Sequence, residues 1–407
     1  MDDQAIKRGA WIQIGLAYAS FVALGMPGGL LGVAWPSAMR SFGLSLDDVG
    51  AVLIALTAGS LLSGFASGPV MARLGAGVFL AASSAAAAMG LLLFATAPSW
   101  WVAVAASILV GVGAGGTDSA LNVHFAENHG SRLMNWLHAC FGLGATLGPA
   151  VMTGLLTAGR SWRWGYAVVA AAQALMALCF GMTASRWRQP TLGPSMSDRA
   201  PARDVRLRTS LRRSIVWLGV VVFFVAAGVE AVAGQWPFSL FTEARGVSTV
   251  TAGAWLSAYW GALTIGRILY GLAGSNLNEQ TALRVGMVAV VFGSGLLWVR
   301  SPNLVSFLGL ALVGLAISPV LPLVHLLTPR RVGRAHTANT IGLQTAAGYT
   351  GVGVFPSLAG IFAERLGLET VGPFMVVCSI VMLAGHELIV RSAAPGQGRQ
   401  TGGRPGE

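Results

Sequence analysis

The stretch 214–238, SIVWLGVVVFFVAAGVEAVAGQWPF, decides the fold. Its 25 residues hold one charged side chain, Glu230. As a helix rising about 1.5 Å per residue it exceeds the roughly 30 Å hydrocarbon core of a bilayer. No water is available there to satisfy an extended backbone, so a span of this kind is helical. Working outward, the same signature recurs near 11–34, 49–70, 76–97, 100–123, 133–158 and 164–184, and again near 249–271, 280–299, 303–326, 337–363 and 371–390. Twelve spans of about 20–25 residues use roughly 240–300 positions, which leaves only short loops and tails in a chain of 407.

Composition agrees. Hydrophobic residues make up 54% and charged residues 10%, against roughly 25% charged in soluble domains, which excludes an ordinary soluble enzyme. The 55 glycines follow no G-X-Y period, and the apolar residues come in long blocks, so collagen and disorder are excluded too. A net charge of +11 first suggests nucleic acid. Nearly all the arginines, however, lie between apolar blocks. Cys140, Cys179 and Cys378 fall inside apolar blocks without ligand spacing, so they read as packing residues and no metal site is expected. Lys7 and Arg8 precede an apolar stretch too long for a signal-peptide core, so it reads as a retained first span.

Between the sixth and seventh spans runs one hydrophilic linker, 186–213, with eight arginines. If both termini share its side, that side holds 19 Lys and Arg, the other holds 6, and Arg267 remains within a span. The positive-inside rule then makes the linker and both termini cytoplasmic, and the expected location is a bacterial inner membrane crossed many times.

The two halves repeat. Trp35-Pro36 matches Trp236-Pro237 at an offset of 201, each read as the end of a span. Gly50 and Gly68 match Gly253 and Gly271 at 203, and Gly144 and Pro149 match Gly351 and Pro356 at 207. A nearly constant offset is what duplication of a six-helix unit leaves behind. The expected fold is an all-α membrane protein, twelve transmembrane helices in two pseudo-symmetric six-helix bundles. The expected divisions are 1–185, the linker 186–213, 214–391 and a tail, 392–407. Substrate sites in such repeats lie near the midplane, between the halves.

This pattern resembles the major facilitator superfamily, and GVGAGGTDSALN (111–122), MNWLHACFGLGATLGP (134–149) and SWRWGY (161–166) are similar to bacterial carriers grouped with the fucose permeases. The resemblance implies alternating access by rocking of the halves, a small-molecule substrate and a monomer in the bilayer. It also implies that Gly68, Arg73 and Gly75 belong to a gating loop between the second and third helices. The loop's usual acid is replaced by Ala72, and in the second half Ser275 and Asn276 take the charged positions. Fucose permease resembles a proton symporter with an acid in its first helix, which this chain lacks.

Apart from Arg284, which stands four residues into 280–299 and counts with the loop before it, four charged residues lie in the spans: Asp118, Glu230, Arg267 and Glu387. Ionisable groups there are costly, and each is a functional candidate. Gly111, Gly115, Asp118 and Asn122 follow the spacing 0, 4, 7, 11 and share one helix face. Asp118 is assigned to proton coupling and Asn122 to substrate; the structural alternative is an aspartate bonded to backbone or to an Asn. Glu230 is a second coupling candidate. It lies six residues before Trp236, in a helix expected to break around its Gly and Pro, and a carboxylate beside an indole suits a polyol. The alternative for Trp236 is an interfacial belt residue.

Asn135 and His138 share a face with Gly142. His138 suits a proton relay, or else is a satisfied packing group. Tyr259, Asn339 and Gln344 add hydrogen-bonding groups for substrate, or simply glue helices together. Arg267 is assigned to gating, with pairing at the bundle interface as its plainer reading. Glu387, beside His386, reads as interfacial.

No phosphate-cradling or hydrolase motif is present, so the chain reads as no enzyme, needs no cofactor and draws on a gradient of protons, with sodium as an alternative. The expected activity is secondary active symport of a small polar, sugar-like solute. Efflux antiport is the main alternative, because Gly144 to Pro149 partly matches an antiporter signature in which Met152-Thr153 stands where glycines are expected. A non-transporting sensor is a third reading; linker and tail are short for an output domain.

Overall fold

A computed structural model describes residues 3–129, 131–187, 207–273, 278–300 and 303–393. Most of the linker and tail, and Ser275 and Asn276, lie outside the described residues. The first half contains α1 (Asp3–Phe42), α2 (Val49–Leu74), α3 (Ala76–Thr96), α4 (Trp100–Asn128), α5 (Ser131–Thr157) and α6 (Arg163–Met182). The second contains α7 (Ser214–Gln235), α8 (Thr249–Ala273), α9 (Glu279–Trp298), α10 in two pieces (Asn303–Ile317 and Val320–Val332), α11 (Arg334–Leu366) and α12 (Val371–Ala393). Apart from α8, which carries Arg267, two Trp and two Tyr, each of these lies in a helical stretch long and apolar enough to cross a bilayer.

The packing order is the same in both halves. In the first, α1 packs on α5, α4 on α2 and α3, and α6 on α3; in the second, α7 packs on α11, α10 on α8 and α9, and α12 on α9. Glycines set these approaches. A Cβ on Gly144 would stand 2.0 Å from the Val22 carbonyl, and one on Gly351 would stand 2.3 Å from that of Phe224. The repeat at offset 207 is therefore a repeated backbone contact. Between the halves the main contacts are α5 on α8 and α2 on α11. Large apolar side chains such as Phe65, Met182 and Phe292 stay exposed around the outside, a surface that suits lipid and would aggregate in water.

One expectation fails for the first Trp-Pro pair and holds for the second. Trp35-Pro36 does not end its span, because α1 continues to Phe42 with Pro27 and Pro36 inside it. Trp236-Pro237 does stand at an interruption: α7 ends at Gln235, and the chain turns helical again over Pro237–Ser239 and a π turn over Leu240–Ala244, while Glu230 itself lies in unbroken helix. A proline removes one ladder bond but fits at a first helical position, and packed neighbours hold the rest.

Polar ties between the halves, among the described residues, mark one end as closed. At the end away from the linker, Arg40 pairs with Glu243 at 3.0 Å and the Leu46 amide donates to Glu364 Oε2 at 2.9 Å. There α5 and α8 close tightly: a Cβ on Gly253 would meet Thr153 Oγ1 at 2.0 Å. At the linker end lies a cavity of about 880 Å³ between α5, α8 and α10.

Candidate functional site

Two polar clusters join helices at the core. In the first, Gly111 and Gly115 on α4 lie against the backbone of α2 at Leu56 and Ser60, and Asp118 follows one turn later. Its Oδ1 accepts from Asn122 Nδ2 at 2.9 Å and its Oδ2 accepts from the Tyr349 hydroxyl at 3.0 Å. Tyr349 belongs to α11, so this bond crosses between the halves. Thr57 Oγ1 on α2 adds a longer contact to the Tyr349 carbonyl, 3.4 Å. Asp118 has no cationic partner among the described residues, which leaves its charge to be met by hydrogen bonds or by a proton.

The second cluster joins α7 to α8. Arg267 Nη2 faces both carboxylate oxygens of Glu230 at 3.3 and 3.4 Å, long for charge-assisted bonds, and its Nε is buried without a hydrogen-bond partner among the described residues. The Tyr259 hydroxyl donates to the Glu230 carbonyl at 2.8 Å. Arg267 also lines the cavity, together with Asn135 and His138 from α5 and His325 from α10. His138 packs edge-on to Phe21, with ring centres 5.7 Å apart, and bonds to neither carboxylate. His325 stacks on Phe223 at 4.4 Å.

The remaining candidates divide by where they sit. Trp236 is fully buried and its indole donates to the Pro356 carbonyl at 2.9 Å, so it is neither an interfacial belt residue nor a cavity residue; it packs where Gly360 leaves room. Tyr259 is fully buried and holds α7 to α8. Gln344 is buried, its Oε1 accepting from Thr328 Oγ1 at 3.1 Å, which ties α11 to α10. Asn339 donates to Ser210 Oγ at 3.1 Å, near the linker. These contacts fit the gluing alternative. Gly68 and Arg73 are exposed at the end of α2, and Arg73 has no ion pair among the described residues. Gly75 has φ +81°, a backbone that favours glycine and lets α3 begin immediately after α2. Glu387 pairs with Arg284 at 2.5 Å.

Sequence reasoning missed Tyr349 and His325, since an inventory of charges passes over both. A signal for Tyr349 exists: it stands among glycines at the position which the 207 offset pairs with Gly142.

The comparisons with known proteins agree with this architecture. A family model described as Major Facilitator Superfamily matches residues 17–356. The chain is 24% identical over 403 residues to an uncharacterized MFS-type transporter of Yersinia pestis, covering 95% of this chain and 98% of that one. Its fold is similar to that of the nucleoside transporter NupG, with a TM-score of 0.76 at 12% identity over 93% of this chain and 99% of the other. It is also similar to the transporter FucP in its outward conformation, with a TM-score of 0.63 at 16% identity over 93% and 98%.

Proposed function

The chain belongs to the major facilitator superfamily, a family of transporters rather than enzymes, and on that premise we propose that it is a proton-coupled symporter of a small polar solute in a bacterial inner membrane, with both termini cytoplasmic. The observation that carries this reading is the Asp118–Tyr349 hydrogen bond, which links a carboxylate without a counter-cation among the described residues in one half to a hydroxyl in the other. A proton taken up by Asp118 changes that bond, and with it the balance between the two arrangements of the halves; this is the element that coupling requires. Glu230 faces Arg267, so Asp118 is the better coupling group. The cavity at the linker end supplies the solute compartment, open to the inside when the outer ties are made.

The test is solute-dependent proton movement in proteoliposomes with a pH-sensitive dye, across a panel of sugars, polyols, organic acids and lipophilic cations. Symport predicts that a solute added outside alkalinises the medium. Asp118→Asn removes that signal while solute counterflow continues. Acidification of the medium would identify an antiporter, and an unchanged signal in Asp118→Asn would remove Asp118 from the coupling.

A further inference from the structure

The chemistry of the cavity wall bears on what it carries. Asn135, His138 and His325 bring donors, and Arg267 brings a full charge. The one carboxylate lining it among the described residues, Glu279, is ion-paired with Arg330. Asn135, both histidines and the Ser318 and Tyr270 hydroxyls can accept as well as donate, so hydrogen-bonding capacity alone does not choose a solute. Arg267 does: an anion needs a cation, and Arg267 is the one Lys or Arg lining the cavity among the described residues. Arg267 is held loosely by its partner: a single terminal nitrogen bridges two oxygens at 3.3 and 3.4 Å, and Nε has no hydrogen-bond partner among the described residues. Its side chain is 20% exposed and lines the cavity, so a second carboxylate can reach the guanidinium from the cavity side. Trp136 and Tyr270 contribute aromatic surface to the same wall. About 880 Å³ lies within the usual span for small-molecule sites, roughly 300–1,000 Å³.

We propose that the cavity takes an organic carboxylate of modest size, whose anionic end competes with Glu230 for Arg267 and whose apolar body packs against Trp136 and Tyr270. The proposal rests on the transporter reading and names its small polar solute as a carboxylate. A carboxylate matches the planar donor fork of Arg, which an amide of identical shape does not. Glu230 then acts as a stand-in that keeps the guanidinium paired until the solute arrives.

The experiment uses the purified full-length protein and reads thermal stabilisation, which grows with ligand occupancy. The probes are phenylacetate and benzoate, their neutral amides phenylacetamide and benzamide, and fucose. The wild type is expected to be stabilised saturably by the acids and not by the amides. Arg267→Gln is expected to weaken the apparent affinity for the acids at least tenfold, and Glu230→Gln to strengthen it severalfold by removing the competitor. Should Arg267→Gln fail to fold, Glu230→Gln and the acid–amide comparison decide. Equal stabilisation by amides, no stabilisation by either acid, or unchanged affinity in Glu230→Gln would overturn the proposal. Binding of acids with no proton movement for any solute defeats the symport reading and leaves this one standing. Fucose-driven proton movement with no acid binding does the reverse.

Discussion

Tyr349 joins the two halves through one hydroxyl. Removing it in Tyr349→Phe leaves Asp118 bonded to Asn122 alone, at a cost of about 1–3 kcal/mol for a bond to a carboxylate. The expected outcome is a midpoint of thermal unfolding lower by a few degrees and solute-driven proton movement weakened, because protonation of Asp118 then no longer reaches the other half. Asp118→Asn is expected to lose the proton movement while keeping more of the stability, because an amide oxygen still accepts from Tyr349 but carries no proton. Calorimetry and the dye assay, run on both variants, separate the bond from the proton; full coupling in Tyr349→Phe would remove the bond from the mechanism. At this scale the sequence was legible where a charge stood in an apolar run. Asp118, Glu230 and Arg267 were visible for that reason, and their partners were not. Nothing in the spacing of Glu230 and Arg267 indicates that side chains 37 positions apart face each other. Trp236 suggested a sugar platform by its nearness to a carboxylate, yet its indole is committed to the Pro356 carbonyl.

Among the helices, glycine decides who approaches whom. Gly144 lies against α1 within one half, and Gly253 lies against Thr153 of the other half. Valine at the two positions therefore has different consequences. Gly144→Val forces side-chain carbon into the Val22 carbonyl, at the upper end of the roughly 1–3 kcal/mol typical of overpacking, and is expected to depress folded yield and thermal midpoint. Gly253→Val disturbs only the seam that closes the outer end, and is expected to favour the outward-open arrangement. In a background lacking Cys140, Cys179 and Cys378, Gln235→Cys is the reporter: an impermeant maleimide should reach it faster from outside when Gly253→Val is present. The helix count and pairing of halves were readable because hydropathy and a constant offset survive duplication. The helix ends were not, because packing carries α1 and the chain after α7 past prolines that local propensity treats as stops.

For the whole molecule, the charge asymmetry predicts orientation. A carboxy-terminal fusion to a fluorescent protein that matures only in the cytoplasm should fluoresce, and a fusion to a periplasmic phosphatase should be inactive; the opposite pair of results would invert the proposed topology. The direction in which the cavity opens was not legible, since it depends on which end the halves close, and that is a matter of three-dimensional fit at Gly253, Gly360 and Glu364. The fastening at the outer end mixes dry and wet parts. Gly253 and Thr153 meet by shape, whereas Arg40 and Glu243 are 59% and 42% exposed. An ion pair so solvated contributes well under 1 kcal/mol and weakens as salt rises. The Debye length falls from about 30 Å at 0.01 M to about 10 Å at 0.1 M. In the proposed orientation, a carrier latched this way senses the ionic strength of the water outside the cell: brackish surroundings loosen its outer door by a factor of two or three, on the order of that pair's worth, while the interior seams keep their hold.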